Sequence, residues 1–344
     1  MTTTTNLAII GAGPMGLELA VACKRARIDY VHLEARQIGQ TMYRWPPMTR
    51  WFSSSQRISI AGVPIQSVSQ SKCTREEYLA YLRSVVLQFD LAIRTYEPVV
   101  DLARDGDGFT LETTTLAGST RSYAAKHVVL TTGGMARPNR LGIPGEDAPH
   151  VSHDLEDPHK YFRRRVVVVG GRNSAVEAAL RLYHAGAEVT ISYRGEAFPR
   201  RVKYWLLPEI EHLIETGLIR GHFRTALAAI TPSHVVLEPV SGGKAFEVEA
   251  DFVLLMTGYV ADMELFRMAG VKLRGEREVP AFDEQTMETN VAGLFVAGTA
   301  TAGTQRSGVR VFLENCHVHA DRIVAALTGG PPPPTPPPVS LPEA

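Results

Sequence analysis

Apolar and polar positions along this chain switch period several times, and the same order of switches occurs twice. Leu7-Ala8-Ile9-Ile10 is a continuous apolar run of strand length ending in Gly11-Ala12-Gly13-Pro14-Met15-Gly16. Leu17, Ala20 and Val21 then recur on one face of a helix, and Tyr30-Val31-His32-Leu33 is a second short apolar run closing on Glu34. The order returns at Val166-Val167-Val168-Val169, followed by Gly170-Gly171-Arg172-Asn173-Ser174-Ala175 and later by Glu188-Val189-Thr190-Ile191-Ser192. Strand, glycine turn, helix and strand make a βαβ unit. Two of them predict an α/β chain with two Rossmann-like, three-layer dinucleotide-binding domains.

Between the units, Tyr78, Leu79, Leu82, Val85, Val86 and Phe89 keep helical spacing and predict a core-facing helix over 75–89. Alternation at Phe109–Thr113 and at Arg121–Tyr123 predicts a small antiparallel sheet. Val128-Val129-Leu130-Thr131-Thr132-Gly133 reads as a buried strand ending in a glycine turn, and Phe252 to Gly258 is its counterpart. Proline and glycine interrupt both periods from Pro138 to Pro149, which predicts a crossing between domains, with a return near Gly258-Tyr259. The second domain (150–258) is then inserted into a first, discontinuous one (1–149 and 259–328). The proline-rich end, 329–344, is expected to be an extended, disordered tail.

Composition narrows the function classes. Thirty-six basic residues balance thirty-six acidic ones, so no overall field points to nucleic acid or an anionic membrane. No stretch approaches the roughly twenty apolar residues of a membrane span, and the polar threonine start lacks the parts of a signal peptide. Three cysteines, none closely paired, fit a reducing cytoplasm, and no His/Cys spacing matches a metal site.

The chemistry lies in the loops. Gly11 permits the tight turn, Gly13 lets a pyrophosphate approach the backbone, and Gly16 lets the helix lie close to the strand. Pro14 and Met15 complete the first turn, whose N–H groups face an anion. Glu34, eighteen residues after Gly16 and followed by Ala35, stands where a carboxylate accepts from an adenosine ribose. In the second loop Gly170 replaces Gly11, Arg172 replaces Gly13 and Ala175 replaces Gly16, with Asn173 and Ser174 opening the helix. Eighteen residues past Ala175 stands Tyr193, not an acid, and Arg194 follows. Together with Arg200, Arg201 and Lys203, these cations suit the 2′-phosphate of NADPH, which a carboxylate would repel. A third motif, Thr289 to Gly298, is a turn, a short strand and a glycine. A helix is expected to start near Gly308 and to run through Val311, Phe312, Asn315, Val318 and Ile323. Its positive end suits the charge of a reduced flavin, which makes the first cofactor FAD rather than NAD.

At this point the residues resemble a known group. The two loops, the twin Thr-Gly turns and Gly293-Leu294-Phe295-Val296-Ala297-Gly298 are similar to the two-dinucleotide flavoprotein reductases, in the compact form of low-molecular-weight thioredoxin reductases. Trp51-Phe52-Ser53-Ser54-Ser55-Gln56-Arg57-Ile58-Ser59-Ile60-Ala61-Gly62-Val63-Pro64 resembles the YpdA-type bacillithiol-disulfide reductases, as do Phe312-Leu313-Glu314-Asn315 and His319. The resemblance implies FAD on Gly11, Gly13, Pro14, Met15, Gly16, Glu34, Ala35, Thr132, Gly133, Gly298 and Thr299. It implies NADPH on Gly170, Arg172, Asn173, Ser174, Ala175, Tyr193, Arg194 and Gly258. It further implies a cytoplasmic homodimer that reduces bacillithiol disulfide, with a bacilliredoxin-type protein in the same cycle.

Two departures matter. Where that family carries a cysteine in the first glycine loop this chain has Met15, and a thioether cannot act as a thiolate. Where the wider superfamily has an aspartate to hold the ribityl chain, this chain has Thr299. No cysteine lies between Cys73 and Cys316, which excludes an internal dithiol relay. Cys316 is either a redox thiol two turns into the last helix or a small buried residue, and Cys23 and Cys73 read as buried. Trp45, Trp51 and Tyr43 either wall the flavin pocket or pack in the core. Arg44, Arg306 and Arg310 are candidate cations for a carboxylate-bearing substrate, and His150, His153 and His159 read as a polar hinge surface. The rival readings are a ferredoxin- or flavodoxin-NADP reductase, a flavin monooxygenase, and a nucleotide sensor without turnover.

Overall fold

The structure, a computed structural model, describes residues 2–68, 70–305, 311–331 and 333–334. The chain forms two compact units, one of residues 1–44, 48–137 and 259–344 and the other of 45–47 and 138–258.

In the first unit β1 (Thr2–Ile10) runs parallel to β2 (Tyr30–Leu33) on one side and to β5 (Thr120–Leu130) on the other. Ala8 and Ile10 enter a buried cluster with Leu102, Phe109 and Leu130, while Leu7 and Ile9 are buried on the opposite face. Helix α1 (Pro14–Arg25) follows the glycine loop. Between β2 and β5 come β3 (Val99–Asp105) and β4 (Gly108–Thr114), which pair antiparallel. The free edge of β5 is shared. Its first half pairs antiparallel with β4, and Val128–Leu130 pairs parallel with Leu294–Val296.

Two boundaries differ from the sequence reading. Arg121–Tyr123 and Val128–Leu130 belong to one eleven-residue strand, because a single strand changes partner halfway along its edge. The threonine run is also strand. It pairs with Ser122–Ala125, and β-branched threonines suit a pleat whose side chains face water.

The helix Arg75–Gln88 opens on a capping box, in which Thr74 Oγ1 accepts from Glu77 N–H and the Glu77 carboxylate accepts from Thr74 N–H. Its buried Tyr78 and Tyr81 donate from their hydroxyls to the carbonyls of Ile58 and Val63, which fixes the serine-rich segment over 51–64. The last helix is Val318–Thr328. It does not start near Gly308: residues 306–310, with Arg306, Gly308 and Arg310, lie outside the described residues, and Leu313–Asn315 is a single tight turn. Asn315 Oδ1 accepts from Phe312 N–H at 2.9 Å, a local bond that competes with helix growth.

The second unit holds a five-stranded, all-parallel sheet in the order Arg220–Phe223, Glu188–Tyr193, Arg165–Val169, Phe252–Leu255, Val151–Ser152. Val166 and Val168 face the helix Asn173–His184, while Val167, with Val253 and Leu255, faces the three-stranded sheet of Thr225–Ile230, His234–Pro239 and Phe246–Glu249. Cover on both faces explains the unbroken valine run.

Candidate active site

Each glycine of the first loop meets a different constraint. Gly11 has φ +109°, and a Cβ there would lie 2.7 Å from the Thr131 carbonyl oxygen. A Cβ on Gly16 would lie 1.9 Å from the Gly11 oxygen, so only glycine lets α1 come this close to β1. Gly13 has nothing within 4 Å of such a Cβ. The protein's own contacts do not demand glycine at 13, whereas a phosphate approaching the backbone would.

The Gly11 carbonyl is fastened from two sides. The fully buried His32 lies with Nε2 2.9 Å away, and Thr131 Oγ1 lies 2.8 Å away. Burial lowers the His32 pKa to about 4, so its imidazole is neutral and the Nε2 proton serves this bond. Glu34 is 9% exposed; its Oε2 accepts from Ala12 N–H at 2.7 Å and its Oε1 from Arg36 N–H at 2.8 Å. Burial raises the Glu34 pKa against these backbone donors, and each oxygen retains a lone pair for a ribose hydroxyl. The sequence reading missed His32. A histidine between Val31 and Leu33 in a buried strand was the available signal.

Three separate motifs meet beside this loop. Met15 is 6% exposed, and its Cγ lies 3.0 Å from where a Cβ on Gly298 would stand. Thr299 faces the Gly133 turn, with Oγ1 3.8 Å from the corresponding position there. Thr132 Oγ1 is buried without a hydrogen-bond partner among the described residues. Gly298 N–H donates to His319 Nδ1 at 3.1 Å, and burial lowers the pKa of that histidine to about 4, leaving it neutral. An open cradle at Gly13 and an orphaned hydroxyl at Thr132 fit a group with phosphates and polar edges.

The cysteines are not placed for redox chemistry. Cys316 precedes the last helix rather than lying two turns into it, is fully buried, and donates from Sγ to the Phe312 carbonyl. Burial raises its pKa, and takes those of Cys23 and Cys73 to about 12 and about 11. All three are protonated thiols at neutral pH. Trp51 packs on Tyr78 with ring centroids 4.5 Å apart, and Tyr43 is exposed. Arg44 Nη1 donates to the Ala136 carbonyl.

The second loop is built differently. Gly170 has φ +143°, and the Ala175 methyl lies 2.9 Å from where its Cβ would be. Cβ atoms on Gly171 and on Gly195 would each lie 2.4 Å from the Tyr193 ring, which is therefore wedged between two glycine backbones. Asn173 Oδ1 accepts from Lys203 N–H, and Arg172, Ser174, Arg194, Arg200 and Arg201 are exposed around the loop. Gly258, at φ +90°, has open space around its missing side chain. No carboxylate stands at the end of the strand Glu188–Tyr193.

Residues 8–298 match the family model described as pyridine nucleotide-disulphide oxidoreductase. The chain belongs to that family. It is 37% identical to the bacilliredoxin reductase Bdr of Bacillus subtilis, over 93% of this chain and 96% of that one. It is 28% identical to a ferredoxin–NADP reductase of Ignicoccus hospitalis, over 87% and 90% respectively. Among solved structures, the bacillithiol disulfide reductase Bdr (YpdA) of Bacillus cereus superposes with TM-score 0.90 at 35% identity, covering 95% of this chain and 99% of that one. A flavin monooxygenase of Stenotrophomonas maltophilia shares the fold alone, at 19% identity and TM-score 0.74. The chain is an oxidoreductase of the FAD- and NADPH-dependent class. No helix among the described residues is long and apolar enough to cross a membrane.

Proposed function

We propose that this chain is an NADPH-dependent, FAD-containing reductase of bacillithiol disulfide, working as a cytoplasmic homodimer in a cycle with a bacilliredoxin-type protein. The reading is supported by two unlike glycine loops on a chain that follows a bacilliredoxin reductase over 93% of its length. FAD is assigned to residues 1–149 and 259–328 and NADPH to 150–258. Gly13 leaves room for the FAD pyrophosphate, the Met15 and Gly16 N–H groups of α1 face it, and Glu34 takes the ribose. Thr132, Gly133, Gly298 and Thr299 border the remainder. Arg172, Asn173, Ser174, Tyr193, Arg194 and Gly258 surround NADPH, with Arg194 on the 2′-phosphate.

Bound FAD supplies a two-electron acceptor for the NADPH hydride and a two-electron donor for the disulfide. The protein's own part is to hold the first loop rigid and to exclude thiol chemistry. Met15 packs its Cβ and Cγ against Gly298 and its sulfur is a thioether, and the three thiols are buried and protonated, so the chain forms no mixed disulfide with substrate.

That same absence of a reactive thiol favours a second reading, a ferredoxin-NADP reductase, which needs none. An anaerobic half-reaction separates them. The yellow protein is bleached with NADPH, then bacillithiol disulfide, oxidised ferredoxin or air is added separately. Reoxidation by the disulfide supports the first reading, and reoxidation by ferredoxin alone replaces it with the second. Light scattering of the same preparation tests the dimer.

A further inference from the structure

Glu18 is the one acidic residue of α1, a turn beyond Met15 in an otherwise apolar stretch, and its side chain is 13% exposed. Its Oε1 accepts from Ala61 N–H at 3.1 Å, and its Oε2 lies 2.8 Å from His317 Nδ1. On the far side of the ring, His317 Nε2 lies 2.9 Å from the Arg57 carbonyl oxygen. Both neighbours of this imidazole are therefore acceptors. A neutral imidazole carries one N–H and can satisfy one of them, so the bridge is complete only with one more proton on the pair. The bridge joins three stretches distant in sequence: α1, the serine-rich segment and the residue capping the last helix. Glu18 and His317, with Arg25, Ala61, Gly62 and Asp321, line a cleft of about 390 Å³.

The charges around the ring favour the extra proton. Glu18 and Glu314 pull the His317 pKa above the ordinary range, against the cost of burial. Glu314 also accepts from Ser53 of the serine-rich segment. Arg57 contributes its carbonyl, and Asp321 and Arg25 lie at the cleft wall from the last helix and from α1. The last helix also carries His319 and Arg322, and burial together with Arg322 and His317 keeps His319 neutral.

We propose that His317 is a protonation-dependent positioning residue: with its second proton it ties Glu18 of α1 to the Arg57 carbonyl, and without it one of those two bonds is lost and the wall of the cleft from Arg57 to Ala61 loosens, while Tyr78, Tyr81 and Arg25 keep the stretch in place. The loosening comes as pH rises, since the bond lost is the one that needed the added proton.

Ala61 N–H reports the state of the clasp, because its acceptor is Glu18. The experiment is amide exchange of the holoenzyme from pH 6 to 9, corrected for intrinsic exchange, beside ¹³C-histidine NMR. His317 is expected to titrate above the ordinary histidine value of about 6.5, with Ala61 protection falling about tenfold or more through the same midpoint. Glu18→Gln places an N–H opposite Nδ1, so a neutral ring then satisfies both neighbours. That variant is expected to keep the full protection at every pH, and His317→Ala to stay at the lower, high-pH level throughout. PH-independent protection in the wild type, a midpoint at or below 6.5, or an unchanged pH step in Glu18→Gln would overturn the proposal. If His317→Ala fails to fold, the Glu18→Gln profile decides.

Discussion

Gly13 and Gly16 look alike in sequence and do opposite work. A methyl on Gly16 strikes the Gly11 carbonyl at 1.9 Å, so Gly16→Ala is expected to cost about 3 kcal/mol, as overpacking of a closed contact does, and to lower the melting temperature without ligand. A methyl on Gly13 meets no protein atom. Gly13→Ala is expected to leave the apoprotein melt within a degree or two while FAD retention in gel filtration falls at least tenfold. Equal destabilisation of the two apoproteins would show that Gly13 is structural. Met15 invites a different test. Met15→Cys puts a thiol in the first turn of a helix, where the dipole and free N–H groups lower its pKa. The variant is expected to alkylate at pH 7, where the wild-type holoenzyme resists, and to reduce disulfide at least tenfold faster. At this scale the glycines and Glu34 were legible, because each answers to local backbone geometry. Glu18 and His32 were not, since their partners lie far away in sequence at Ala61, His317 and Gly11.

Among the elements, the two strand–turn–helix units could be read from period alone, and so could the helix Arg75–Gln88, though its Thr74 cap was not read. The last helix was read ten residues too early. Apolar spacing continued through Val311 and Phe312, and only the side-chain bond from Asn315 to the Phe312 N–H shows where the chain is held out of helix. The second loop carries the prediction at this level. Tyr193 occupies the space beside Gly171, and exposed Arg194 stands at the end of its strand. Arg194→Ala is expected to raise the NADPH KM about tenfold while leaving the NADH KM within a factor of two, measured by steady-state flavin reduction. A parallel rise for both nucleotides would move the 2′-phosphate contact elsewhere.

For the whole molecule, buried histidines tie stability to pH. His319 is neutral when folded, with a pKa near 4, and ordinary when unfolded. A histidine depressed in this way leaves the unfolded state with more protons between those values, so stability falls as pH drops from about 6.5 towards 4. At pH 5 the loss amounts to about 2 kcal/mol for such a group. Urea melts at pH 7 and pH 5 are expected to show the wild type losing that much more than His319→Asn, and equal losses would place the titration in other groups.

The sequence by itself determined the α/β class, the two dinucleotide loops and the lack of a dithiol pair, because strand period, turn chemistry and the count of cysteines are local properties. Only the tertiary structure decided that Met15 rests on Gly298, that Cys316 is sealed in and precedes its helix, and that Glu18 and His317 share a bridge. Each of those facts depends on which distant segments meet, and the folded core decides that through burial and hydrogen-bond satisfaction.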